Sequence, residues 1–220
     1  MPCARQWKSW TATRKAGVNK LIRVPPLSCC KIRKVAEDFL QRFQPDALHD
    51  DATDIERFFT VTIAQKMGMV TGSDDLSPYG DDVLGVTEVA RKRSFVSSEL
   101  YNSSSAVNQR RCRATMAHEA GHCIHHVTYA RLASTTAVGT LFRKASDLKP
   151  FENPEWQAWE FARQFLMPEA VFRRCLAERY TASDLVERFD VNRSFVETWR
   201  QILRQRDANS ARRKTADFIR

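Results

Sequence analysis

His118 and His122 stand four residues apart in Ala117-His118-Glu119-Ala120-Gly121-His122, with Glu119 directly after the first histidine. On a helix, side chains four residues apart lie one turn over each other on the same face, about 5–6 Å apart at Cβ. Two neutral imidazoles at that separation can share one zinc ion, and a carboxylate next to the first can reach a water on it. This is the H-E-x-x-H arrangement of a zinc hydrolase. Histidine is scarce, five in 220 residues, yet four of the five fall between 118 and 126. That clustering favours a metal over a polar helix face assembled by accident.

Two histidines do not hold a catalytic zinc, which needs three protein ligands and an open position. Asn153-Pro154-Glu155 reads as a helix start: an N-cap, a proline at the first helical position and an acid in the first turn. The helix is expected to run to about Met167 and to break at Pro168. Glu155, Trp159, Ala162 and Leu166 fall on one stripe of it, so the Glu155 carboxylate shares the direction of core-facing side chains. By spacing alone Glu155 is a third ligand or a solvent-exposed acid serving the helix dipole. Glu160 is its rival, while Glu152 precedes the cap. His125 and His126 read as groups behind the ligands or at the helix end.

The elements that must position these groups are legible in outline. Residues 110–127 lack proline and carry Ala114, Met116, Ala117, Ala120 and Ile124, which predicts a helix around the motif. Gly121 is a poor helix former, and a small residue there lets another segment pass close. From Ser28, the residues Ile32, Val35, Ala36, Phe39, Leu40 and Phe43 recur at helical steps and stop before Pro45. Asp54 to Met67 fits either a helix or a short strand. Thr71 to Asp82 reads as an acidic, turn-rich loop. Val83–Val89 and Ser94–Ser97 read as two strands joined by Ala90 to Arg93. A strand beside a metal helix can pair with an extended substrate through its main chain; a hairpin packed on the core is the alternative. Leu132 to Pro150 reads as a connection, and Glu169 to Arg179 as a further helix.

Composition bounds the rest. At 43% hydrophobic and 28% charged residues the chain is of ordinary globular type. It carries no apolar run long enough for a bilayer and no secretory leader pattern, so no membrane role is expected. Six scattered cysteines without a C-x-x-C pair read as reduced thiols in a cytoplasm, with Cys123 as packing. Residues 1–34 hold nine of the 35 Lys and Arg and no acid, which leaves 35 − 9 = 26 basic against 26 acidic residues beyond them. The net charge of +9 thus belongs to the N-terminal arm, expected as a disordered extension that ends at Val24-Pro25-Pro26.

Arg113 to His122, with His126 following, resembles the metal-binding helix of the ImmA/IrrE metallo-endopeptidases. Glu155-Trp156-Gln157-Ala158-Trp159-Glu160-Phe161-Ala162-Arg163-Gln164-Phe165-Leu166-Met167-Pro168 is similar to that family's second signature. Ala114 stands where the family usually has Phe, and Trp159 where it usually has Asn. The resemblance covers roughly residues 27–180 and implies an α+β, mostly helical minimal zincin (gluzincin-like) with a small sheet. It favours His118, His122 and Glu155 as ligands of one Zn²⁺ per chain, Glu119 as general base, and His126 and Trp159 behind them. The implied substrate is a protein, a transcriptional repressor of a mobile element or stress response. The domains expected are a basic extension 1–26, a peptidase domain 27–180 and a C-terminal segment 181–220. Thr181 to Arg200 reads as two short helices around a tight turn, similar to a helix-turn-helix, with Asp190 where the turn usually has Gly. Asn192, Arg193 and Ser194 would then lead the second helix, where base contacts are usually made. Asn209 to Arg220 reads as a frayed basic end. The competing expectation is a DNA-binding regulator whose zinc site is structural or inactive.

Overall fold

In a computed structural model, which describes residues 24–49, 51–88, 91–135 and 149–218, Ser28 caps the first helix, its hydroxyl accepting from the Lys31 amide at 3.3 Å. Helix α1, Cys29–Phe43, buries Ile32, Ala36 and Leu40 along one stripe, and Pro45 opens a 3₁₀ turn that ends it. Residues 1–23 of the basic arm and residues 136–148 of the expected connection lie outside the described residues.

Residues 55–67 resolve in favour of helix: α2, Ile55–Arg57, a π-helical stretch Phe58–Ile63, then α3, Ala64–Met67. Ile55, Phe58, Phe59 and Ile63 are fully buried at steps of three to five, which outweighs the local alternation of Thr60 to Ile63. Gly68 ends the run in the left-handed conformation at φ 60°.

The expected loop from Thr71 is in part a strand, and this is a correction. Strand β1, Val70–Asp74, pairs in parallel with β3, Arg93–Ser97, which pairs antiparallel with β2, Gly85–Glu88. The order is β1-β3-β2. β1 buries none of its residues, so it carries no hydrophobic pattern; the main-chain ladder holds it, helped by the Thr71 hydroxyl, which donates to the Phe59 carbonyl at 2.8 Å. On β3, Ser94 and Val96 alternate into the interior.

After the short α4, Ser98–Tyr101, the motif lies on α5, Ala106–Thr135, a helix longer at both ends than expected. It packs on β2, β3 and α6, Pro154–Leu166. α5 and α6 meet closely at Gly121, where a Cβ would stand 2.9 Å from Ala158 Cα and 3.0 Å from its carbonyl oxygen. Gly121→Ala should therefore destabilise the chain in urea unfolding. The helix-propensity gain of about 1 kcal/mol is outweighed by about 1–3 kcal/mol of overpacking, because the atoms met are backbone and cannot swing aside.

α7, Glu169–Ala177, α8, Ala182–Phe189, and α9, Arg193–Phe218, complete the described chain. The second of the two short helices is in fact long, and the expected frayed end from Asn209 continues it through Phe218. Leu185, Val186, Phe189, Val191, Phe195, Val196 and Trp199 are buried in the same core as α5 and α6. Asp190 takes the turn's left-handed position at φ 48°. Its carboxylate is held there by Arg110 at 3.0 Å and Arg113 at 3.1 Å, both from the first turns of α5. No described helix is long and apolar enough to cross a membrane. The structure is mostly helical with a small mixed sheet, an α+β arrangement.

Candidate functional site

The α5 helix sets His118 above His122, and their Nε2 atoms come within 3.0 Å of each other. Asn153 caps α6, its Oδ1 accepting from the Glu155 amide at 2.9 Å, and this fixes the first turn that carries Glu155. The Gly121–Ala158 contact brings that turn over the histidine pair. Glu155 Oε2 lies 3.4 Å from His118 Nε2, and Oε1 lies 3.6 Å from His122 Nε2. One ligand atom from each of His118, His122 and Glu155 falls within 4.8 Å of the others. Nitrogens on one tetrahedral zinc, at bonds of about 2.0–2.1 Å, sit roughly 3.3 Å apart, so this donor set fits a borderline divalent ion.

Glu119 is buried beneath β2. The main chain of β2 crosses it so closely that a Cβ on Gly85 would come 2.6 Å from Glu119 Oε1 and 2.8 Å from Thr115 Cγ2. Thr87 donates to Glu119 Oε2 at 2.6 Å. A hydroxyl has one proton, so the 2.7 Å contact between Thr87 and the fully buried Ser94 must have Ser94 as donor. Cys123, beneath them, is packing: burial pushes its thiol up to about 12. Thr87→Val should remove one hydrogen bond to a charged acceptor, with a loss of about 1.5–3 kcal/mol in urea unfolding, whereas Thr87→Ser should retain it.

Behind the histidines, Trp159 packs its ring on His118 at 4.3 Å between centroids and 38° between planes. His118 Nδ1 has no hydrogen-bond partner among the described residues. His126 Nδ1 lies 2.9 Å from His122 Nδ1, and its Nε2 lies 3.0 Å from Gln157 Oε1. Burial pushes the His126 imidazole down to about 4. His125 packs against Phe161 at 5.6 Å, and burial pushes it down to about 3.

Glu160 is directed elsewhere. Its carboxylate accepts from Arg206 at 2.7 Å, Gln164 at 3.0 Å and Arg163 at 3.3 Å, away from the histidines. Asn192 uses its amide on the Val107 carbonyl at 3.3 Å, while Arg193 and Ser194 are exposed at the start of α9. Thr87, Ser94 and Gln157 were not singled out by the sequence. Thr87 and Ser94 bear only the polar alternation of their strands, and Gln157 only its place two residues after Glu155.

Residues 98–198 match the model of the peptidase M78 family, described as the IrrE N-terminal-like domain. No curated protein matches the chain.

Proposed function

We propose that the chain, whose residues 98–198 match the IrrE N-terminal-like domain of the peptidase M78 family, is a zinc-dependent endopeptidase of the ImmA/IrrE kind acting on a protein. The observation that carries this reading is the convergence of His118, His122 and Glu155 within 4.8 Å, from two helices far apart in sequence. In this reading those three residues hold Zn²⁺, which when bound lowers the pKa of a water towards about 7 and polarises the scissile carbonyl. Glu119 takes a proton from the attacking water and passes it to the leaving amine as the C–N bond breaks. Thr87 holds one of its oxygens, with Ser94 donating to Thr87 behind it, and Trp159 steadies the His118 ring. β2, which passes over Glu119, is the strand against which an extended substrate would run.

The reading extends to a transcriptional repressor as substrate, in control of a mobile element or stress response, and to a zincin-like peptidase domain over residues 27–180. Residues 181–220 are then a helix-turn-helix-like unit that closes the core, and residues 1–26 a basic extension. The unpaired Cys29, Cys30, Cys112, Cys123 and Cys175 are in keeping with a reducing cytoplasm. The test is incubation of the zinc-loaded chain with purified candidate repressor proteins. Cleavage abolished by a chelator and restored by zinc is expected. Cleavage indifferent to the chelator would overturn the metal mechanism.

A further inference from the structure

We infer that His126 and Gln157 are positioning residues that set which nitrogen of His122 faces the ligand cluster, an inference resting on the metal reading above. Gln157 is the fixed end of the relay. Its amide nitrogen lies 2.9 Å from the Pro25 carbonyl oxygen and 2.8 Å from that of Phe151. Carbonyl oxygens only accept, so both amide protons are donated to them. The amide cannot flip without setting its oxygen against two others.

Gln157 Oε1 is therefore the atom 3.0 Å from His126 Nε2, and that nitrogen must carry a proton. At a pH above the ordinary imidazole value of about 6.5, the His126 ring is neutral. A neutral ring has a single N–H, which leaves a lone pair on His126 Nδ1. That lone pair stands 2.9 Å from His122 Nδ1, which must then be the donor. His122 in turn has its lone pair on Nε2, the atom 3.6 Å from Glu155 Oε1.

Two main-chain carbonyls, one side-chain amide and one imidazole thus hold His122 in the tautomer that can donate electrons to a metal. Such an outer partner is usually a carboxylate, a carbonyl or a water; here it is a second histidine locked by an amide. His118 lacks this device, since its Nδ1 has no partner and its ring rests on Trp159.

The test is ¹⁵N NMR of the full metal-free chain labelled at histidine, at a pH above the ordinary imidazole range. His122 should show a pyrrole-type Nδ1 and a pyridine-type Nε2, and His126 the reverse. In Gln157→Leu the Nδ1–H preference of His122 should be lost, and zinc affinity measured against a competing chelator should fall about 10–100-fold. A His122 protonated at Nε2 in the unaltered chain overturns the relay, as does native zinc affinity in a folded Gln157→Leu. If that variant does not fold, the tautomers of the unaltered chain decide alone. A chain with the stated tautomers that takes up no zinc supports the relay and sinks the metal reading, so the two failures are distinct.

Discussion

Glu119→Gln is expected to leave metal binding intact while peptide hydrolysis falls by about 10²–10⁴-fold, the usual contribution of a positioned general base. The substitution keeps the size of the side chain and an oxygen to accept from Thr87, 2.6 Å away in the unaltered chain. What it removes is the ability to take a proton. The carboxylate of Glu119 is not one of the converging groups, which are His118, His122 and Glu155, so metal content should not change. Assay of the purified variant with the substrate protein, beside elemental analysis, checks both halves. Cleavage at the native rate would remove Glu119 from the mechanism, and loss of the metal would mean that its role is structural.

Glu160→Ala should be the most damaging single change to stability outside the histidine cluster, costing about 3–5 kcal/mol as expected for breaking a buried ion pair. Glu160 is 1% exposed, and truncation leaves Arg206 and Arg163 without their shared carboxylate. Because Arg206 lies on α9 and Glu160 on α6, the loss should also loosen the C-terminal helix. The same group sets a pH dependence. Burial alone would raise the Glu160 carboxyl, but Arg163, Arg206 and Gln164 outweigh it and hold it below the ordinary glutamate value of 4.5. A carboxyl depressed in the folded state contributes its full stability above the unfolded value, and this is lost as pH falls through the folded one. The stability gap between the unaltered chain and Glu160→Ala should therefore be constant near neutrality and narrow below about pH 4.5. Urea unfolding at a series of pH values measures it. A gap that widens in acid would contradict the sign.

The outline of the site was legible because its chemistry is short-range in sequence. His118 and His122 lie on one helical face wherever a helix forms, and Asn153-Pro154 marks the start that presents Glu155. The meeting of the two helices was only hinted at, by Gly121, whose missing Cβ lets α6 pass. Spacing could not separate Glu155 from Glu160, since both sit on α6 and the difference is what stands opposite: the histidines for one, Arg206 for the other. β1 was missed because its pairing with β3 is a property of the partner strand and leaves no apolar period in Val70 to Asp74. The length of α9 was missed because Asn209 to Arg212, where the expected frayed end begins, are exposed and carry no apolar period. Gln157 and Thr87 act through hydrogen bonds to residues 132 and 32 positions away, a kind of relation that no local pattern records.

Metal content per chain, measured by elemental analysis on the unaltered protein and on Glu155→Ala, tests the central claim most directly. The Glu155 side chain is 29% exposed, so the variant should fold and can be compared at equal stability. One zinc per unaltered chain, lost or weakly held in Glu155→Ala, is the predicted result. No zinc in the unaltered chain, or full retention in the variant, would contradict it.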